Sequence, residues 1–189
     1  MGIPSVPLPV KLVIAITYNP LSIDLQKITQ ILDQQFGEQE YSYGPLAFSW
    51  SEYYSDEMGP SLMKYYFNYK TLIDRQQLVD IKLFTNSIEQ QFSLDGKRSV
   101  NIDPGYLARD KFVLVTTKDF YHRLYLGKGI YGEETLHYRK GKFRFFSWTY
   151  PDYKQKQLYE FLEKARATLA REVKSEFEIL DFGEQDCQI

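Results

Sequence analysis

Residues 11–17 read KLVIAIT, a nearly continuous apolar run rich in β-branched side chains. A short run of this kind predicts a central strand with both faces buried, because a half-exposed strand would alternate polar and apolar residues. Such a strand needs neighbouring strands at its edges and a layer of structure on each face. The segments that follow must supply them.

Two later segments have helical patterns. Residues 21–37, LSIDLQKITQILDQQFG, carry apolar side chains at helical spacing and end at Gly37, which suits a helix end. Asp74, with Gln77 three residues later, predicts the start of a second helix. Its spacing separates an inward apolar side from an outward polar side. The residues expected to face inward are Ile81, Phe84, Ile88 and Phe92, and those expected to face outward are Lys82, Asn86 and Glu89.

Three further segments are strand candidates: residues 44–50, residues 62–70, and residues 97–107, the last ending at Pro104–Gly105. The order is then β-α-β-β-α-β, which is the split βαβ, or ferredoxin-like, arrangement. Both helices would cover one face of an antiparallel sheet. The other face must be covered or must bind something.

The C-terminal part predicts a β extension and a final helix. Residues 112–126 suggest one long strand, bent or bulged because few strands are so long. A hairpin follows; a two-residue turn at Lys140–Gly141 would place His137 opposite Arg144 and Tyr138 opposite Phe143. We therefore predict an α+β protein with a ferredoxin-like βαββαβ core, a C-terminal antiparallel β extension and a terminal helix. The expected organisation is an N-terminal arm (1–10), a single domain (11–175, comprising the ferredoxin-like half 11–107, the extension 108–150 and the helix 152–175) and an acidic tail (176–189).

Composition limits the class of protein. The 189 residues are 43% hydrophobic and 25% charged, which is typical of a soluble globular domain. No apolar run approaches the roughly 18 residues of a membrane span, and the N-terminus lacks the pattern of a signal peptide. A single cysteine, Cys187, excludes a disulfide framework or a zinc cluster within one chain. We expect a cytoplasmic protein without a membrane partner.

The glycine pattern Gly127-Lys128-Gly129-Ile130-Tyr131-Gly132 matches G-x-G-x-x-G. A dinucleotide-binding loop needs a helix directly after the glycines, because the helix N-terminus binds the pyrophosphate. Here a strand pattern follows, so the glycines predict a turn.

The region around that turn is nevertheless the best candidate for a site. Residues 118–144 carry seven Lys and Arg against three Asp and Glu, so an anionic partner is expected there. On a regular strand Lys118 and His122 would share a face, with Arg123 on the opposite one. His122 is either a core histidine or a site residue. The hairpin also has a basic face, which either serves a partner or is simply solvated.

Acidic and polar residues add to these candidates. Asn101 and Asp103 share one face near a predicted strand end, where Asp103 could be a base or metal ligand or could belong to a turn. Glu57 and Tyr54 lie in a polar connection, and Glu133 follows the glycines. With two histidines a multi-histidine metal site is excluded, although a magnesium site on carboxylates stays possible. The sequence leaves the cofactor unknown.

Five blocks occur in order along the chain: YYSDEMG, IKLFTNSIE, VNIDPGYL, HRLYLGKGIYGEETL and WTYPDY. They resemble a prokaryotic family known as domain of unknown function 4416, from about Lys11 to about Phe161. The resemblance implies a cytoplasmic single-domain protein whose shared blocks are these polar stretches. It supplies no activity, cofactor or catalytic residue.

Two classes of function fit these observations. One is an enzyme acting on a phosphate-bearing small molecule or nucleotide, which requires its candidate residues to converge on one pocket. The catalytic candidates are His122, Asp103 and Glu57, and the ligand-binding candidates are Lys118, Arg123, Asn101, Tyr54 and Glu133. The alternative is a non-catalytic protein that binds RNA or another polyanion, or that assembles as a homodimer.

Overall fold

The first strand is buried along its whole length. In the computed structural model, which describes residues 2–49, 55–93 and 95–176, β1 (Val10–Tyr18) has no exposed residue. It pairs with strands on both edges and is covered on both faces, as KLVIAIT predicts.

The described residues form an antiparallel sheet of eight strands, so the protein is α+β. The strand order is β2-β3-β1-β4-β5-β7-β6, with β8 also paired to β7. The other strands are β2 (Gln39–Ala47), β3 (Met63–Ile73), β4 (Val100–Leu107), β5 (Lys111–Thr116), β6 (Leu124–Gly127), β7 (Ile130–Arg139) and β8 (Lys142–Phe145). The helices are α1 (Leu25–Phe36), the single turn α2 (Ser55–Met58), α3 (Leu78–Gln91) and α4 (Lys156–Glu176).

The helices lie on opposite faces of the sheet. Successive side chains of a strand point to opposite faces. The even-numbered residues of β1 share one core cluster with residues of α1 and α3, and this cluster includes Ile14, Ile28 and Ile88. The odd-numbered residues Val13 and Ala15 belong to the core under α4. The predicted terminal helix therefore covers part of the second face, and a 3₁₀ turn at Pro151–Lys154 precedes it.

Several local predictions are confirmed. Helix α1 begins after Asp24, whose carboxylate accepts the Gln26 N–H at 2.9 Å, and it ends at Gly37, whose φ is 90°. The hairpin turns at Lys140–Gly141 and pairs His137 with Arg144 and Tyr138 with Phe143. The glycine pattern is a turn between β6 and β7, with positive φ at Gly127, Lys128 and Gly129.

The long strand predicted for residues 112–126 is wrong. Strand β5 ends at Thr116, residues 117–123 form a loop, and β6 begins at Leu124. The Thr116 hydroxyl accepts the Lys118 N–H at 3.2 Å, a local bond that competes with strand pairing. Phe120, within this loop, is 56% exposed. Lys118 and His122 therefore do not share a strand face.

The turn predicted at Pro104–Gly105 is also wrong, because β4 continues through both residues to Leu107. Strands β4 and β5 pair only at Gly105, Tyr106 and Leu107, so Pro104 lies where β4 has no partner on that edge. A strand tolerates proline there. Gly105 is needed for the close approach of β5, since a Cβ atom would lie 2.5 Å from the Val113 carbonyl oxygen.

None of the described helices is long and apolar enough to cross a membrane.

Candidate functional site

A cleft of about 540 Å³ opens where β4 and β5 separate. Asp103 pairs with Ala15 and Glu133 pairs with Leu114, and both partners belong to the core under α4. Paired residues share a face, so the two carboxylates lie on the α4 side of the sheet. The cleft occupies part of the face that α4 leaves open. Five predicted residues line it: Asn101, Asp103, Lys118, Arg123 and Glu133.

Lys82 and Glu89 of α3 make the backbone hydrogen bonds that a neighbouring strand would otherwise make with β4. Ile102 lies in the unpaired half of β4. Its N–H donates to Glu89 Oε1 at 2.7 Å, and its carbonyl accepts from Lys82 Nζ at 2.7 Å. Lys82 and Glu89 are each only 5% exposed. The prediction that Lys82 and Glu89 face solvent is wrong, because the open edge of β4 offers them buried backbone partners.

A chain of hydrogen bonds runs from Glu57 to Asp103. The two oxygens of Glu57 accept from Arg98 Nε at 2.7 Å and from Arg98 Nη2 at 2.8 Å. Arg98 Nη1 donates to the Asn101 side-chain oxygen at 3.0 Å, and Asn101 Nδ2 donates to Asp103 Oδ2 at 2.7 Å. Asn101 and Asp103 both lie within β4, so the alternative of a turn at these positions is wrong.

Electrostatics separate the carboxyl groups of this region. Hydrogen bonds from Arg98 hold the pKa of Glu57 below its usual value, and Glu57 in turn raises the pKa of Arg98. Burial raises the pKa of Glu89, despite the opposing effect of nearby Lys82. Glu89, in the cleft wall, thus has a raised pKa, whereas Glu57, behind Arg98, has a lowered one.

The lowered pKa of Glu57 gives a testable pH dependence. A carboxylate with a lowered pKa in the folded state contributes stability above its unfolded pKa and loses it as pH falls. We expect the free energy of unfolding to fall between about pH 5 and pH 3, and to fall less in Glu57→Gln. Urea unfolding at several pH values measures this. Glu38→Gln, in an exposed pair with Lys70, should keep the wild-type slope; an unchanged slope in Glu57→Gln would contradict the assignment.

The opposite wall is built around Glu133. Its Oε2 accepts from Arg123 Nε at 2.7 Å and lies 3.2 Å from His122 Nε2. Arg123 also donates to the Lys118 carbonyl and to the Tyr150 hydroxyl, each at 3.0 Å. The prediction that Arg123 points away from His122 is wrong, because the loop brings both side chains to one carboxylate.

His122 lies behind this wall rather than in it. Its ring stacks on Trp148 with the centroids 5.1 Å apart, and 8% of its side chain is exposed. It contacts Glu133 but does not line the cleft. Glu57 likewise reaches the cleft only through Arg98. Two of the three predicted catalytic residues, His122 and Glu57, are therefore one contact away from any ligand in the cleft, whereas Asp103 lines it.

The sequence did not predict the buried ion pair between Lys64 and Asp152. Lys64 and Asp152 form a hydrogen-bonded pair, and each side chain is 6% exposed. Tyr66 donates to the same Asp152 oxygen at 2.9 Å, and burial raises the Tyr66 pKa. The Lys64 ammonium lies 5.0–5.3 Å from the ring centroids of Phe48, Tyr66 and Tyr153. No sequence pattern links residues 88 positions apart.

One predicted ligand-binding residue, Tyr54, has no place in this description of the cleft. Tyr54 lies outside the described residues. Among the residues that the structure does describe, no three His, Cys, Asp or Glu side chains are grouped so that they could hold a metal ion.

The comparison with protein families agrees with the resemblance that the sequence blocks indicate. Residues 8–169 match the family described as "Domain of unknown function (DUF4416)". The chain belongs to this family. The match covers most of the chain, slightly more than the blocks alone indicate, and it includes every residue of the two walls. No curated protein matches the sequence. No solved structure matches it either.

Proposed function

We propose that the cleft between β4 and β5 binds a phosphate-bearing small molecule or a nucleotide, and that the protein acts on this ligand. The observation that carries the proposal is convergence. Asn101, Asp103, Lys118, Arg123 and Glu133 come from two strands and a loop, yet all line one cleft of about 540 Å³. That volume is in the range of small-molecule sites, which combine a few convergent polar groups.

The charges of the cleft suit an anion on one wall. The Arg123 guanidinium is already oriented by Glu133 and by the Tyr150 hydroxyl, so it is held in place before a ligand arrives. Lys118 is exposed beside it. An ordered guanidinium and a nearby ammonium are the groups that bind phosphate oxygens in proteins. Asp103, on the other wall, is the carboxylate best placed to accept a proton from the ligand.

Ligand-dependent thermal stability tests this proposal. A ligand at about 100 times its dissociation constant adds about 2.7 kcal/mol to the folded state, so nucleotides or sugar phosphates that bind should raise the melting temperature. We expect Lys118→Gln to weaken binding at least about tenfold, because a charge-assisted hydrogen bond is lost. Lys27→Gln, an exposed lysine of α1 on the opposite face, should bind like the wild type. If no phosphate compound raises the melting temperature, the proposal is wrong.

We also propose that residues 10–107 form a ferredoxin-like unit. The order β2-β3-β1-β4, with antiparallel neighbours, and the packing of α1 and α3 on one face support this. Strands β5 to β8 enlarge the sheet beyond such a unit. A cytoplasmic location stays a prediction of the sequence.

A homodimer is the second candidate function. Strand β6 stands at the end of the strand order, and Leu124 and Tyr125 are 74% and 63% exposed. An exposed edge strand with apolar side chains is a surface to which a second copy could add. Light scattering that gives the mass of a single chain would exclude it. Binding to RNA stays a prediction of the basic hairpin.

A further inference from the structure

Asp103 is the one cleft carboxylate that combines access with an oriented hydrogen bond. Its side chain is 28% exposed, whereas the side chains of Glu89, Glu133 and Asp152 are between 2% and 7% exposed. Its Oδ2 accepts from Asn101, while Oδ1 forms an ion pair with Lys82 Nζ at 3.6 Å, a separation too long for a hydrogen bond. No described residue donates a hydrogen bond to Oδ1. This oxygen is therefore available to a ligand in the cleft.

The orientation of Asp103 depends on residues that do not touch the ligand. A side-chain amide can present either its oxygen or its NH₂ group. Arg98 donates to the Asn101 oxygen, which fixes the NH₂ group toward Asp103. Arg98 is fixed in turn by both oxygens of Glu57. Arg98 Nη1 also donates to Glu89 Oε2 at 3.1 Å, so two carboxylates hold the guanidinium. The chain therefore holds Oδ2 and leaves Oδ1 toward the cleft.

We infer that Asp103 Oδ1 accepts a hydrogen bond from a hydroxyl group of the ligand, and that Asn101 and Arg98 are positioning residues for it. This inference rests on the proposed function. It narrows the ligand to a hydroxylated phosphate ester, such as a sugar phosphate or a nucleotide ribose. The phosphate contacts Arg123 and Lys118 on one wall, and the hydroxyl contacts Asp103 on the other.

The hydrogen-bonding chemistry of Asp103 Oδ1 supports a hydroxyl group as its partner. An ionised carboxylate only accepts hydrogen bonds, so its free oxygen needs a donor from the ligand. A phosphate would be repelled by Asp103. A ligand without a hydroxyl would leave Oδ1 desolvated and without a hydrogen-bond donor, which is a larger loss than the absent bond alone. The carboxylate thus distinguishes polyol phosphates from alkyl phosphates of the same charge.

The test compares matched pairs of probes. Glycerol 3-phosphate is paired with propyl phosphate, and ribose 5-phosphate with pentyl phosphate; the members of a pair have the same phosphate and carbon count. Dissociation constants come from NMR titration of ¹⁵N-labelled full-length protein. In the wild type at least one polyol phosphate should bind about tenfold or more tightly than its alkyl partner, the gain expected of a hydrogen bond to a charged group.

The variants separate the hydroxyl contact from the phosphate contact. Asp103→Leu should reduce the ratio of the two affinities to about one, while alkyl phosphates bind as well as before or better, because a negative charge is gone. Asn101→Ala should also reduce the ratio. If Asn101→Ala does not fold, Arg98→Lys takes its place in the test, because lysine keeps the positive charge but not the planar guanidinium group. Asn86→Leu, a cleft residue outside the hydrogen-bond chain, should keep the wild-type ratio.

The outcomes distinguish this inference from the function on which it rests. If alkyl and polyol phosphates bind equally and both weaken in Lys118→Gln, the phosphate site stands and the hydroxyl contact is wrong. If the ratio survives in Asp103→Leu, another residue binds the hydroxyl. A uniform loss of affinity for both members of a pair in Asn101→Ala and in Arg98→Lys would make these residues merely structural. If none of the four probes binds and no nucleotide raises the melting temperature, the proposed function and the inference both fail.

Discussion

Replacing Asp152 by alanine is expected to lower the free energy of unfolding by about 3–5 kcal/mol, the usual cost of leaving a buried charge without its partner. Lys64 would keep its ammonium group among three aromatic rings with no counter-charge from Asp152. Tyr66 would also lose the acceptor of its buried hydroxyl. Urea unfolding, with the slope checked for two-state behaviour, measures the change.

Two controls identify the cause. Glu38→Ala breaks an ion pair of similar chemistry with Lys70, but its partners are 54% and 72% exposed, so the expected change is below about 1 kcal/mol. The double variant Lys64→Met with Asp152→Leu removes both charges and should regain most of the loss, since apolar residues often replace buried ion pairs without cost. A loss below about 1 kcal/mol in Asp152→Ala would mean that water or another group solvates Lys64.

Glu89→Ala is expected to destabilise the protein by about 3 kcal/mol or more, because it leaves one buried N–H and one buried ammonium poorly paired. Glu89 accepts from the Ile102 N–H and from Arg98, and it lies 3.8 Å from Lys82. The effect should be local as well as global. In Glu89→Ala the Ile102 amide hydrogen should exchange with solvent faster than in the wild type, because its acceptor is gone. This increase should be larger than that of the neighbouring amides.

Matched variants on the same helix separate these effects. Glu89→Gln keeps an oxygen for the Ile102 N–H and should cost about 1–2 kcal/mol, less than alanine. Gln90→Ala changes the adjacent exposed residue and should stay within about 0.5 kcal/mol of the wild type. If Glu89→Ala matched Gln90→Ala, the side chain would not be the partner that closes the edge of β4.

The pairing of β4 explains why a cleft exists at this place. Gly105 lets β5 approach, and from there to Leu107 the two strands pair. On the N-terminal side the strands separate, and α3 closes the edge with side chains instead of backbone. Side chains close an edge less completely than a strand does, so space remains between the walls.

The sequence by itself predicted the elements whose pattern is local. Burial of β1 follows from six apolar or β-branched residues in a row, α1 from its helical spacing and caps, and the register of the hairpin from a two-residue turn. It also indicated five of the residues that line the cleft. These inferences succeed because propensity, turn chemistry and hydrophobic period act between residues close in the chain.

Only the tertiary structure decided which charges are buried and what they contact. Lys82 and Glu89 look like an ordinary solvated helix face, and Lys64 with Asp152 shows no pattern at all. Their partners are an unpaired strand edge and a turn far along the chain. The loop at 117–123 likewise keeps the alternation of a strand, yet Arg123 and His122 both turn to Glu133. A buried charge is stable only with a partner, and long-range pairing supplies that partner only once the strands are in place.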